Sequence, residues 1–117
     1  MSYTFLNPPL PQQPAFRVGS TDGRYYDLGP DLSPLGVTIA SIVSITVART
    51  DGAAIGAGDL TILTSPAPFL DSTKLIVNWW QTGGLPTLYQ ITVTVTTSDG
   101  TRVLPYDCLQ LVTLQLG

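Results

Sequence analysis

The chain has 117 residues, the size of one domain, and a chain this long buries roughly two-thirds of its unfolded surface in a single core. Charged residues make up 11%, histidine and glutamate are absent, and Cys108 is the one cysteine, which excludes a Ser-His-Asp triad, a Cys-His dyad, imidazole metal ligation, an intrachain disulfide and a CxxC zinc site. Five basic residues against eight aspartates, spread singly, cannot form the cationic stripe that a phosphate backbone requires.

Residues 1–21 read as a separate extended arm. Pro8, Pro9, Pro11 and Pro14 remove amide donors and restrict φ, so the segment can be neither helix nor central strand. Tyr3, Phe5, Leu10 and Phe16 punctuate it. Side chains this large are unusual in a free tail, so the arm is expected to dock on a neighbouring subunit, with a passive disordered tail as the plainer reading. The first charge is Arg17, so no basic leader precedes an apolar run, and no signal peptide is expected. The charge-free stretch 32–48 contains Ser33, Thr38, Ser41, Ser44 and Thr46 and reads as a strand rather than a membrane span.

From residue 22 onward the pattern is that of strands. Residues 24–28 form a short one, stopped by Gly29-Pro30. Residues 37–47 alternate, with Val37, Ile39, Ser41, Val43, Ile45 and Val47 on one face and Ile42 as the exception. Strands are also predicted at 59–64 and 74–80. In the latter, Leu75, Val77 and Trp79 are taken as the core face, which leaves Trp80 partly exposed as a candidate contact; burial of Trp80 under the Pro66–Pro68 loop is equally open. Residues 88–97 alternate most cleanly, with Tyr89, Ile91, Val93 and Val95 inward. Asp99-Gly100 then marks a hairpin, and 102–112 returns, with Pro105 at an edge or bulge. The leucine-rich tail 109–116 extends this strand or forms a second docking segment.

Six or seven short strands punctuated by turns predict an all-β, antiparallel sandwich of immunoglobulin or fibronectin III kind over residues 22–117, with a barrel as the alternative. Leu85-Pro86-Thr87-Leu88-Tyr89 is similar to the segment before strand F of fibronectin III domains. Tyr89 is therefore expected to make a corner, its hydroxyl bonded to backbone near Gly84 or Leu85. Asp27 with Asp31, and Asp51 with Asp59, read as turn residues rather than a calcium site. Gly52, Gly56 and Gly58 lack the Gly-Lys ending of a phosphate loop. Cys108 reads as a small buried hydrophobe. No catalytic, cofactor-binding or metal residue is assigned, and an acid–base enzyme is disfavoured because no convergent aspartate pair can be argued.

Three segments carry a resemblance. They are Gly36-Val37-Thr38-Ile39-Ala40-Ser41, a strand ending in Trp followed by Gly83-Gly84, and the run from Tyr89 through Asp99-Gly100-Thr101-Arg102. Together they resemble the phage fibre–tail adaptor proteins, small virion proteins with an immunoglobulin-like fold. Thr101 stands between the Gly and Arg of that pattern, and the proline-rich arm is an addition. The resemblance implies a non-enzymatic adaptor, assembled in the host cytoplasm and carried in the virion at the tail or head-to-tail connector. It would be present in several copies in a ring, joining fibres or neighbouring tail proteins, without nucleic acid, membrane or cofactor. Tyr3, Phe5, Leu10, Phe16 and Trp80 are the expected partner contacts. A carbohydrate- or cell-surface-binding module, with Trp79, Trp80 and Tyr106 as a stacking platform, is the alternative.

Overall fold

The structure, a computed structural model, describes residues 10–114. In chain order its elements are β1 (Phe16–Arg17), β2 (Thr21–Asp27), helix α1 (Gly29–Leu32), a 3-10 turn (Ser33–Leu35), β3 (Ile39–Arg49), β4 (Thr61–Ile62), β5 (Phe69–Ser72), β6 (Leu75–Gln81), β7 (Thr87–Thr97) and β8 (Val103–Thr113). They form two four-stranded sheets. One has the order β1-β8-β7-β3; in the other β6 pairs with β2 along one side and with β4 and β5 along the other. The fold is all-β and sandwich-like.

The long alternating strands form where period two demands them. On β7, Tyr89, Ile91, Val93 and Val95 are fully buried, while the intervening Thr92 and Thr94 are half-exposed. The β7–β8 hairpin turns at Gly100, whose φ of +74° suits glycine. Helix α1 and the 3-10 turn were not predicted, because Gly29-Pro30 reads as a stop. Proline is instead favoured in a first helical turn, where its missing N–H would lack a partner anyway. The turn places Leu32, fully buried, in the core. β5 was missed as well.

Two face assignments are corrected. β3 does not keep one alternation. Its pairing with β7 shifts between Ile39 and Ser41 and again between Ile42 and Ser44. Each irregularity turns the strand, so Ile42 packs against the core with Ile45 and Val47, while Val43 is 55% exposed. On β6 the inward face is Ile76, Asn78 and Trp80 rather than Leu75, Val77 and Trp79. Val77 is buried but lies outside the core cluster, between its register partners Tyr25 and Phe69. Trp79 packs its indole over Gly23, where an added Cβ would lie 3.2 Å from the ring. Asn78 is fully buried with neither side-chain polar atom hydrogen-bonded to protein. A polar residue in the core stripe is what misdirects a hydrophobicity reading of this strand.

Candidate interaction surface

The proline-rich segment is bonded to its own domain from Pro11 onward. Parallel to β8, Leu109 N–H donates to Pro11 O at 2.8 Å, Gln13 N–H to Leu109 O at 2.9 Å, and Val18 N–H to Thr113 O at 2.8 Å. β1 continues this pairing, with Phe16 beside Val112 and Arg17 beside Thr113. This is the edge position that proline tolerates, since a missing N–H leaves no gap in a ladder beyond it.

Side chains from both sheets complete what the prolines leave out. Gln110 of β8 donates its Nε2 to Pro14 O at 2.8 Å. Arg24 of β2 donates Nη2 to Pro14 O at 2.9 Å and to Ala15 O at 3.3 Å, and its Nε to Gln110 Oε1 at 3.3 Å. Its guanidinium lies 3.7 Å from the centre of the Phe16 ring, a cation–π geometry. Arg24 is 7% exposed and pairs with Asp22 at 3.1 Å. The planar fork can serve backbone carbonyls, an amide oxygen and a ring face together, which lysine cannot do. Arg24 and Gln110 thus hold residues 14–16 between the two sheets.

The expected contact residues fall in three places. Tyr3 and Phe5 lie outside the described residues. Leu10, half-buried, lines a hollow of about 400 Å³ with Pro11, Asp27, Asp31, Tyr106 and Asp107. Phe16 and Trp80 are core residues, 2% and 0% exposed, which corrects their reading as outward anchors. Trp80 donates its indole N–H to the Tyr26 hydroxyl at 2.7 Å, so both polar tips are satisfied inside the core. Burial keeps the Tyr26 phenol far above its ordinary range. Tyr106 is half-buried and tilts against Tyr26, ring centres 6.5 Å apart. Trp79, Trp80 and Tyr106 therefore do not assemble into an exposed stacking platform.

Tyr89 is buried at the start of β7 as expected, but its partners are not the Gly84–Leu85 backbone. Its hydroxyl donates to Asp59 Oδ1 at 2.7 Å and accepts the Leu60 N–H at 3.1 Å. Asp59 also receives the Gly56 N–H at 2.8 Å and Arg49 Nη1 at 3.4 Å. Arg49, the last residue of β3, pairs with Asp51 at 2.6 Å. The Tyr89 hydroxyl, the Gly56 amide and Arg49 hold Asp59 below the usual carboxylate range, and burial with the Asp59 bond pushes Tyr89 up to about 12. The signal that could have found this partner is Asp59 itself, which the turn reading absorbed. Burial raises the Cys108 thiol to about 11, so it is held as an unreactive thiol.

Two exposed features remain. Leu85, Leu111 and Leu114 stand out beside a shallow apolar groove of about 380 Å³ formed by Pro86, Leu88, Leu111 and Leu114. On the opposite edge of the same sheet, β3 has no strand beyond it among the described residues. No cluster of three or more ionisable side chains among the described residues could hold a metal ion. No protein-family model matches the chain. No curated protein matches it either.

Proposed function

We propose that this protein is a non-enzymatic structural adaptor of a tailed-phage virion, joining the tail or head-to-tail connector to fibres or neighbouring tail proteins. The strand pairing supports an immunoglobulin-like reading of the sandwich. β2–β6–β5 opposite β3–β7–β8 follows the B-E-D and C-F-G pairings of that fold, with no strand in the A position beside β2 among the described residues and β1 paired in parallel with β8 instead. The segments that resemble the adaptor family fall on coherent parts of this scheme: the lead into β3, the end of β6 with the turn after it, and the β7–β8 hairpin.

The observation that carries the reading is the seated arm. Residues 11–18 are bonded along β8 and clamped by Arg24 and Gln110, so the domain grips the base of the segment that bears Tyr3 and Phe5. A rigid base lowers the ordering cost of any contact those anchors make. The docking segment is accordingly shorter than the whole arm and comprises residues 1–9, with Phe16 assigned to the fold.

The test is mass spectrometry of purified virions, made with the intact chain and with Tyr3→Asp/Phe5→Asp. The intact chain is expected in the particle, and the double variant is expected to be lost from it while keeping the intact chain's melting temperature. Absence of the intact chain from virions overturns the reading.

A further inference from the structure

Resting on that reading, we infer that the open edge of β3 receives residues 2–6 of a second copy of this chain as an added strand. The edge is long. Thr73 O takes the Ile39 N–H at 2.8 Å, which leaves residues 40–48 as the open stretch. Register irregularities at 39–41 and 42–44 bend the strand, and it is regular from Ser44 onward. That stretch, Ala-Ser-Ile-Val-Ser-Ile-Thr-Val-Ala, has neither charge nor proline, the side-chain devices by which proteins blunt an exposed edge. Residues 2–6, Ser-Tyr-Thr-Phe-Leu, are equally uncharged and rich in strand formers, and Pro8-Pro9 would end a ladder just beyond them. Backbone bonds supply affinity in such strand addition, and alternate side chains supply specificity.

Geometry excludes the chain's own edge. The arm lies beyond β8 at Gln12, beside Leu109. The order β1-β8-β7-β3 puts the far side of β3 four strand spacings away, about 19 Å at ~4.8 Å each. Pro11 is bonded to β8, and residues 7–10, which join it to residue 6, span five Cα steps, about 17 Å when fully extended. A strand made by residues 2–6 can therefore reach the β3 edge of another molecule but not its own. Because arm and edge are different surfaces, the contact is heterologous, and successive copies close into a ring or run on as a filament.

The full-length chain and two full-length variants test this by sedimentation. Val43→Lys places a charge on the edge, and Tyr3→Asp/Phe5→Asp disables the arm; Ser44→Lys replaces the first if it lowers the melting temperature. The intact chain is expected to oligomerise with rising concentration, and each variant alone to be a monomer. The two variants mixed are expected to form a 1:1 dimer, since one still has its arm and the other its edge. An intact chain that stays monomeric at several hundred micromolar overturns the inference. So does an edge variant that still oligomerises, or an arm variant that still does so, which would mean that two β3 edges pair with each other. A monomeric chain whose arm variant is nonetheless lost from virions would leave the adaptor reading standing and remove this one. A 1:1 dimer from a chain absent from virions would do the reverse.

Discussion

The β1-β8-β7-β3 sheet ends differently on its two sides. Beside β8 the chain lays down a segment poor in amide donors, and two side chains, Arg24 and Gln110, bind the carbonyls it presents. At the other end, β3, an 11-residue strand rich in isoleucine and valine, pairs with β7 but has no strand on its far side among the described residues. A strand well suited to pairing keeps one side open, and a segment poorly suited to it is paired. The difference teaches that an edge is closed by whatever can satisfy its polar groups, and prolines are acceptable there when side chains complete the bonding.

The largest expected effect comes from breaking the closed edge at its apolar anchor. Phe16→Ala should destabilise the domain by about 3–5 kcal/mol, the range for removing a buried aromatic side chain. Urea unfolding measures it. A loss under 1 kcal/mol would mean that the arm is not part of the core and that the two edges are alike. Next comes the clamp. Arg24→Met keeps an apolar stem and removes every donor, leaving Pro14 O with Gln110 alone and Ala15 O without the arginine. Its cost should be about 1–3 kcal/mol, with faster amide exchange at Gln13 and Val18 than at the centre of β7.

The far end of β3 is fastened by polar contacts, and a smaller substitution sharpens its part in the comparison. Tyr89→Phe strips a bond from Asp59 and leaves the Leu60 N–H unpaired, at about 1–2 kcal/mol. The same cluster sets an acid limit. The folded carboxyl of Asp59 titrates below its ordinary value, so its contribution is fully present above about pH 4, the unfolded value. That contribution is lost as pH falls through the lower folded value. Asp59→Asn should therefore flatten the acid side of a thermal-stability profile while leaving its shape above pH 5 unchanged. The smallest effect belongs to the open edge. Val43→Lys should change stability by no more than about 0.5 kcal/mol, because the side chain is already in solvent. A larger loss would show that the edge serves the fold.

Some of this architecture is written in local pattern. The inward residues of β7, the hairpin at Asp99-Gly100 and the strand character of β6 and β8 follow from period two and turn chemistry, which act over a few residues and need no partner. Which face of a strand turns inward is a different matter. Two bulges against β7 swung Val43 out and Ile42 in, and Asn78 lies on the buried face of β6 beside Trp80. Alternation specifies that there are two faces, but the opposing sheet and the register choose between them. The resting place of the arm was equally hidden. Its prolines and large side chains announced an extended segment that needs a surface, and only the meeting of Arg24 from one sheet with Gln110 from the other created that surface. Likewise a buried phenol at position 89 demanded a partner, and folding brought Asp59, 30 residues away, before the turn nearby could supply one.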